Sequence, residues 1–361
     1  MTTAIVQKSL KLLRQLALQV QVGNVKGKAP EFAFEPEENE KLFGPYGGAE
    51  NLHVWKLNDV VCSGLYGGAI INKFNQLYLR FISFPWGKTL HPASTLPYVG
   101  KNVGEIEKAI YLITPEAPNN YYHWVVDLLP RLLVLTKYSL SDLKDRVIIL
   151  HHTAKSYETN YLAMLGIEKE KVFRLKPFET VKVKDLVVAD YYGLNKPFAA
   201  WKKEILDQLS ANKPRLPKKK IYLLRGKQAK RSLIGEERLV AMLEKLGFTI
   251  VNPQGMTVEE QINTLREAEV VVALHGAALT NIIFCEPQTL VVELRSTHLP
   301  PEHYSAIAKT YNFRFKTVSL PPERQVKKSN SANKQSLVLT EEAVAELMTL
   351  LGEREKQASF K

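Results

Sequence analysis

The 361 residues are 45% hydrophobic and 24% charged, enough apolar material for a substantial core and about two domains, which excludes a disordered chain. The 49 Lys and Arg exceed the 37 Asp and Glu to leave a net charge of +12, which suits an anionic partner or serves solubility alone. The 2 cysteines, Cys62 and Cys285, stand far apart among apolar residues, which argues against a disulfide scaffold or a zinc site and predicts buried thiols.

In chain order, IVQKSLKLLRQLALQV predicts a basic amphipathic helix that docks on the protein, with a membrane surface as the alternative. It has basic residues inside its apolar pattern and no small-residue cleavage site, unlike a secretory leader. No uncharged apolar run reaches the roughly 18 to 20 residues of a membrane helix. A cytoplasmic location, at most at the membrane surface, is the expectation. Residues 23–50 are rich in Gly, Pro and acidic groups and read as linker, closing an N-terminal segment of residues 1–50.

HVWKL, AIINKF and LYLRFISF are weakly patterned strands. From about residue 106 the pattern sharpens: AIYLI, RVIIL, KVFRL and DLVVA are short β-branched runs, and helical stretches from Tyr121 to Tyr138 and Ser156 to Leu165 lie between them. That alternation predicts an α/β domain over residues 51–212 with a mainly parallel sheet. NKPRLPKKK, with 2 prolines and 5 basic residues, marks a boundary. A second α/β domain over residues 213–361 follows, from KKIYLL through GFTIV, VEEQINTLREA, EVVVAL, TLVVEL and YSAIAKTY to FRFKTV. Polar KKSNSANKQ then precedes a last helix with Thr340 at its N-cap. The architecture expected is α/β: two facing Rossmann-like domains with ligand held outside the carboxyl ends of the strands.

Three constellations carry chemistry. In LHGAALTN a buried strand ends at Leu274, and after His275 the residues Gly276, Ala277 and Ala278 are small enough for close approach of a ligand or backbone. A helix starting there would offer N–H groups to phosphate, with His275, Thr280 and Asn281 adding hydrogen bonds; a packing turn around a satisfied core histidine is the bland alternative. LLRGKQAKRS places Arg225, Lys227, Lys230 and Arg231 directly after a strand, as a diphosphate clamp or a solvated loop. In NNYYHWVVDLLPRL, helical spacing puts His123, Asp127 and Arg131 on one face, as a general base with its partners or as a structural ion-paired cluster.

In this order and spacing NYYHWVVDLLPRL, YLLRGKQAKRS followed by GEERL, ALHGAALTNIIFCEP and VVEL resemble glycosyltransferase family 61, the capsular polysaccharide biosynthesis group, over roughly residues 105–320. The resemblance implies a GT-B fold, a nucleotide-sugar donor, UDP-linked, in the C-terminal domain, a glycan or lipid-linked acceptor at the N-terminal one, and inverting transfer to a hydroxyl. The sequence departs from the family form at Ala278, where HGAGLTN has glycine, and at Gly235, where asparagine is frequent.

The roles expected are Asp127 as base, His123 orienting or replacing it, Arg225, Arg231 and the backbone after His275 holding the diphosphate, and Glu293 accepting from ribose hydroxyls. No Asp-X-Asp occurs, so no metal or other cofactor is expected. The rivals are weaker. A nucleotide-dependent oxidoreductase lacks its Gly-X-Gly-X-X-Gly fingerprint. Intact Asp127 and His123 weigh against an inactive nucleotide-sugar or glycan-binding module. A nucleic-acid binder would interleave aromatics with its basic residues, which NKPRLPKKK does not.

Overall fold

The computed structural model describes residues 33–34, 41–43, 52–64, 68–73, 77–78, 81, 101–114, 117–138, 145–177, 179–190, 198–209, 217–225, 232–298, 302–324 and 335–358. The expected N-terminal helix, most of the linkers and the loop carrying Lys227, Lys230 and Arg231 lie outside them. The chain forms two compact units, Met1–Lys196 and Pro197–Lys361. The helix Ala200–Asp207, which precedes NKPRLPKKK, packs with the second unit.

The first unit is built on a mixed sheet of nine strands among the described residues. One half is parallel, with β6 (Lys101–Tyr111) pairing β7 (Val147–His151) and β9 (Glu179–Ala189), and β8 (Val172–Leu175) beyond β7. Parallel neighbours need long crossovers. Helix α1 (Tyr121–His123, Trp124–Leu128 and Leu129–Tyr138 in succession) supplies one between β6 and β7, and α2 (Ser156–Met164) supplies another between β7 and β8. The other half departs from the mainly parallel sheet expected. β3 (Val54–Ser63) runs antiparallel to β9, and also to β4 (Ala69–Ile71), where the short link from Ser63 to Ala69 leaves room only for a hairpin-like return. The stretch read as linker contributes β1 (Ala33–Phe34), beside β5 (Leu77–Tyr78), and β2 (Lys41–Phe43), beside β3. Trp55, Leu57, Cys62, Tyr111, Ile149, Val183 and Leu186 form the core of this unit, and both cysteines of the chain are buried free thiols.

The second unit matches its expectation closely. Its five parallel strands are β10 (Lys219–Leu223), β12 (Phe248–Val251), β13 (Ala268–Leu274), β14 (Leu290–Ser296) and β15 (Arg314–Leu320), in the spatial order β12-β10-β13-β14-β15. This is the doubly wound arrangement, in which the connections change direction between the first and third strands, here β10 and β13. Even-numbered residues, among them Tyr222, Val272, Leu274, Val292, Leu294 and Val318, pack with Leu239, Leu243 and Leu347 of two helices on one face. Alternation then sends the odd-numbered residues to the other face. The small pair β11 (Leu233–Ile234) and β16 (Leu337–Val338) flanks the main sheet.

Local chemistry sets the helix starts. Thr257 and Glu260 form a reciprocal capping box before Val258–Arg266, and the Thr340 hydroxyl accepts from Ala343 N–H before Glu341–Ala358. Gly235 precedes Glu236–Lys245 at φ 90, a left-handed conformation that glycine adopts without strain and asparagine tolerates. Among the described residues, no helix is long and apolar enough to cross a membrane.

Two glycines make the packing testable. A Cβ at Gly64 would overlap the Lys176 carbonyl, whereas one at Gly352, inside the last helix, meets nothing within 4 Å. Gly64→Ala should therefore cost about 2 to 4 kcal/mol of stability, and Gly352→Ala should add about 0.5 to 1 kcal/mol. Chemical denaturation of both variants checks the contrast.

Candidate active site

In the first unit the site is made by one helix. Tyr121–His123 is α-helical, Trp124–Leu128 forms a π-helical turn, and Leu129–Tyr138 returns to α-helix; together they are α1. Pro130 explains the wide turn. Proline has no N–H for the carbonyl four residues back, and its ring crowds that carbonyl, so the chain opens by one residue and Leu129 N–H reaches Trp124 O instead. The Asn120 side chain caps the start by accepting from Tyr122 N–H. Across the junction, His123 Nδ1 lies 2.6 Å from Asp127 Oδ2, with Asp127 buried and His123 half-buried. The histidine–carboxylate pair expected from the sequence is formed. Arg131 is fully buried and donates from Nη2 to the Ala189 carbonyl, 2.7 Å away, which clamps α1 to the end of β9.

The front of α1 is wedged by aromatic and ionic contacts that the sequence reading did not single out. Trp124 meets His151 and Tyr157 edge-on, and the Tyr121 hydroxyl lies 3.0 Å from that of Tyr161. Behind them Glu158 is fully buried and accepts from Arg174 Nη1 at 2.6 Å, while His151 Nδ1 lies 2.5 Å from Thr153 Oγ1. Burial pushes the Glu158 carboxyl up, with Arg174 pulling the other way. Burial, then the charges of Arg174 and His152, drive His151 down to about 3.

In the second unit the site lies at the carboxyl ends of β10 and β13, where the connections change direction. A cavity of about 220 Å³ opens between Leu223–Arg225 on one side and Ala273–Leu274 with Gly276–Ala278 on the other. His275 N–H donates to Leu294 O at 2.7 Å, which extends the sheet by one residue, and Arg225 donates from Nη1 to the His275 carbonyl. Gly276 leaves room for that guanidinium. A Cβ there would sit 2.8 Å from Arg225 Nη1 and 3.1 Å from Cζ. Beyond it Ala277–Phe284 is a 3-10 helix, not the α-helix that would present a longer row of N–H groups, and its first turn closes through Leu279 N–H to Gly276 O.

The structure separates the candidate ligand contacts of this unit into two sets. Arg225, Gly276 and Ala277 line the cavity. Thr280 and Asn281 do not: both are fully buried, and Asn281 Nδ2 donates to Gln261 Oε1 at 2.7 Å, fastening the 3-10 helix to Val258–Arg266. Glu293, read as a ribose contact, has a different task. Its side chain is 2% exposed and its Oε1 lies 2.5 Å from His275 Nδ1, so it orients the imidazole and leaves Nε2 as the nitrogen able to act outward. Tyr304, unnoticed in the sequence, donates to Gly276 O at 2.7 Å and sets its ring edge-on to His275. Arg295 is buried on the same strand and face as Glu293. Alternation along VVELRS was the signal for it. Among the described residues, no group of three or more His, Cys, Asp or Glu is placed to hold a metal.

Comparison with known proteins bears on both sites at once. The family model Glycosyltransferase 61 matches residues 121–292, from the first residue of α1 to the residue before Glu293. Just under half of the chain is thus similar to glycosyltransferase 61. The resemblance read from its motifs is thereby confirmed. A β-1,2-xylosyltransferase of Arabidopsis thaliana is 29% identical over 112 residues, covering 30% of this chain and 19% of that protein. Two β-1,2-xylosyltransferases of Oryza sativa subsp. japonica are 32% identical over 66 residues (18% of this chain, 12% of theirs) and 24% identical over 175 residues (47% and 28%). The matches thus span well under a third of each relative's length. The glycosyltransferase 61 segment contains His123, Asp127, Arg225 and His275, the residues that make up the two sites.

The buried His151 yields a pH test. Its ordinary value is 6.5 and its folded value about 3, so the unfolded chain takes a proton that the folded chain refuses. The stability that its neutral form provides is therefore complete above pH ~6.5 and is lost as pH falls toward 3, by at most about 1.4 kcal/mol per pH unit. Glu158, raised, acts in the opposite sense and is present in both proteins compared. His151→Gln should melt with a shallower dependence on pH than the wild type between pH 7 and 4; parallel curves would contradict the burial argument.

Proposed function

We propose that the chain is an inverting, metal-independent glycosyltransferase that moves a sugar from a nucleotide sugar to an acceptor hydroxyl, in polysaccharide or glycoconjugate synthesis. The observation that carries this reading is the cavity at the β10 and β13 carboxyl ends, floored by small residues and edged by Arg225, inside a segment matched by the glycosyltransferase family. The second unit grips the donor diphosphate and the first supplies the base, the division of labour of a GT-B enzyme.

In this mechanism Asp127 takes the proton of the acceptor hydroxyl, with His123 fixing the carboxylate through the 2.6 Å contact. The oxygen attacks the anomeric carbon from the face opposite the diphosphate, the carbon–oxygen bond to the leaving group breaks, and the configuration inverts. Charge growing on the departing diphosphate is met by the Arg225 guanidinium and the backbone N–H groups of Ala277 and Ala278, with Arg231 as a second guanidinium. Cationic and main-chain donors do the work that a bridging metal does elsewhere. The donor is UDP-linked, and the names of the relatives make UDP-xylose the first pentosyl donor to try before hexosyl donors. A glycan or lipid-linked acceptor, met at the cytoplasmic membrane surface, fits the +12 charge.

The test is transfer and slow hydrolysis measured across a panel of UDP-sugars. Asp127→Asn should lower kcat by about 10²-fold or more with the donor affinity little changed. Excess EDTA should leave turnover intact. Loss of activity on chelation, restored by Mn²⁺, refutes metal independence, and equal, tight donor binding without turnover by both proteins refutes catalysis.

A further inference from the structure

We propose that Tyr304 is a positioning residue for the diphosphate site: its hydroxyl holds the Gly276–Ala277 peptide so that the N–H of Ala277 faces the cavity. The inference rests on the reading of that cavity as a diphosphate site and goes beyond it by naming what aims its main-chain donor.

Tyr304 lies on the helix Glu302–Tyr311 that follows β14, and it is 4% exposed. A tyrosine buried this deeply needs a partner for its hydroxyl. It finds one in the Gly276 carbonyl at 2.7 Å, while its ring stands edge-on to His275 with centroids 5.4 Å apart. The same carbonyl accepts Leu279 N–H at 2.9 Å, so two donors pull it to one side. In a planar trans peptide, C=O and N–H point in opposite directions. The N–H of Ala277 is thereby directed away from Tyr304.

What lies on the other side follows from the lining. Gly276, Ala277 and Ala278 form one wall of the cavity and Arg225 another, and Arg225 approaches Gly276 so closely that a Cβ there would displace its guanidinium. The preceding carbonyl, of His275, is occupied by Arg225, which fixes the peptide before it as well. Two successive peptides are therefore locked, one by a guanidinium and one by a phenol. An oxyanion site gains from donors held in place before the anion arrives. Ala277, the next residue, contributes no side chain that could compete with the ligand.

Tyr304→Phe keeps the ring against His275 and removes only the hydroxyl. Calorimetry of the full chain with inorganic pyrophosphate, and with UDP, reads the result. The variant should bind both about fivefold more weakly, as expected for a lost hydrogen bond, and should bind uridine, which has no phosphate, as the wild type does. In turnover the donor KM should rise by the same factor while acceptor KM stays put. Equal affinity for pyrophosphate in the two proteins overturns the inference and leaves the diphosphate site standing; failure of the wild type to bind pyrophosphate or UDP overturns both. Should the variant not fold, hydrogen exchange on the wild type decides: pyrophosphate should slow exchange in the peptide spanning residues 275–280, and unchanged exchange there refutes the proposal.

Discussion

The bond from the Arg225 guanidinium to the His275 carbonyl joins the ends of two parallel strands at the point where the sheet's connections diverge. Without it the cavity between the two strand ends would lose one wall. The bond also dictates sequence. A side chain at position 276 would collide with the guanidinium, so glycine stands there with an extended backbone that places no conformational demand of its own. Space, and not backbone freedom, is the reason for this glycine. The small residues that follow keep the same surface open to a ligand.

Both units use one device to prepare an imidazole. His123 is held by Asp127 and His275 by Glu293, each through Nδ1 and each by a carboxylate that is more buried than the ring. A carboxylate at Nδ1 favours the tautomer with the proton there and steers Nε2 outward. The surroundings differ in kind. Asp127 sits in the π-turn that Pro130 imposes, while Glu293 lies inside β14 on the face opposite the Leu239, Leu243 and Leu347 cluster. This fits a carboxylate that must reach an acceptor in one case and a strand-end imidazole held in a fixed orientation in the other.

Much of the second unit was legible because its information is local. Short β-branched strands separated by helices announce themselves by period, and Thr340 marks a start that the structure keeps. The His123–Asp127 pair was legible for the same reason, a spacing of four on one helix. The π-turn was not read, although Pro130 inside the helical run was its signal. Nor was the mixed sheet of the first unit, since the pairing of β3 with β9 joins residues more than a hundred apart and no periodicity encodes it. Tyr304 and Gln261 escaped notice because each acts on a partner in another element, through contacts that exist only after the sheet and its helices have packed. Asn281 illustrates the converse: a polar residue in a suggestive motif that the fold spends on its own cohesion.

The central claim is that the strand ends of the second unit bind a diphosphate through Arg225. Calorimetric titration of wild type and Arg225→Gln with UDP, repeated from low to moderate salt, tests it most directly. The account predicts at least a tenfold weaker affinity in the variant and a shallower salt dependence, because one fixed charge has left the site. Identical affinities and identical salt slopes for the two proteins would contradict it.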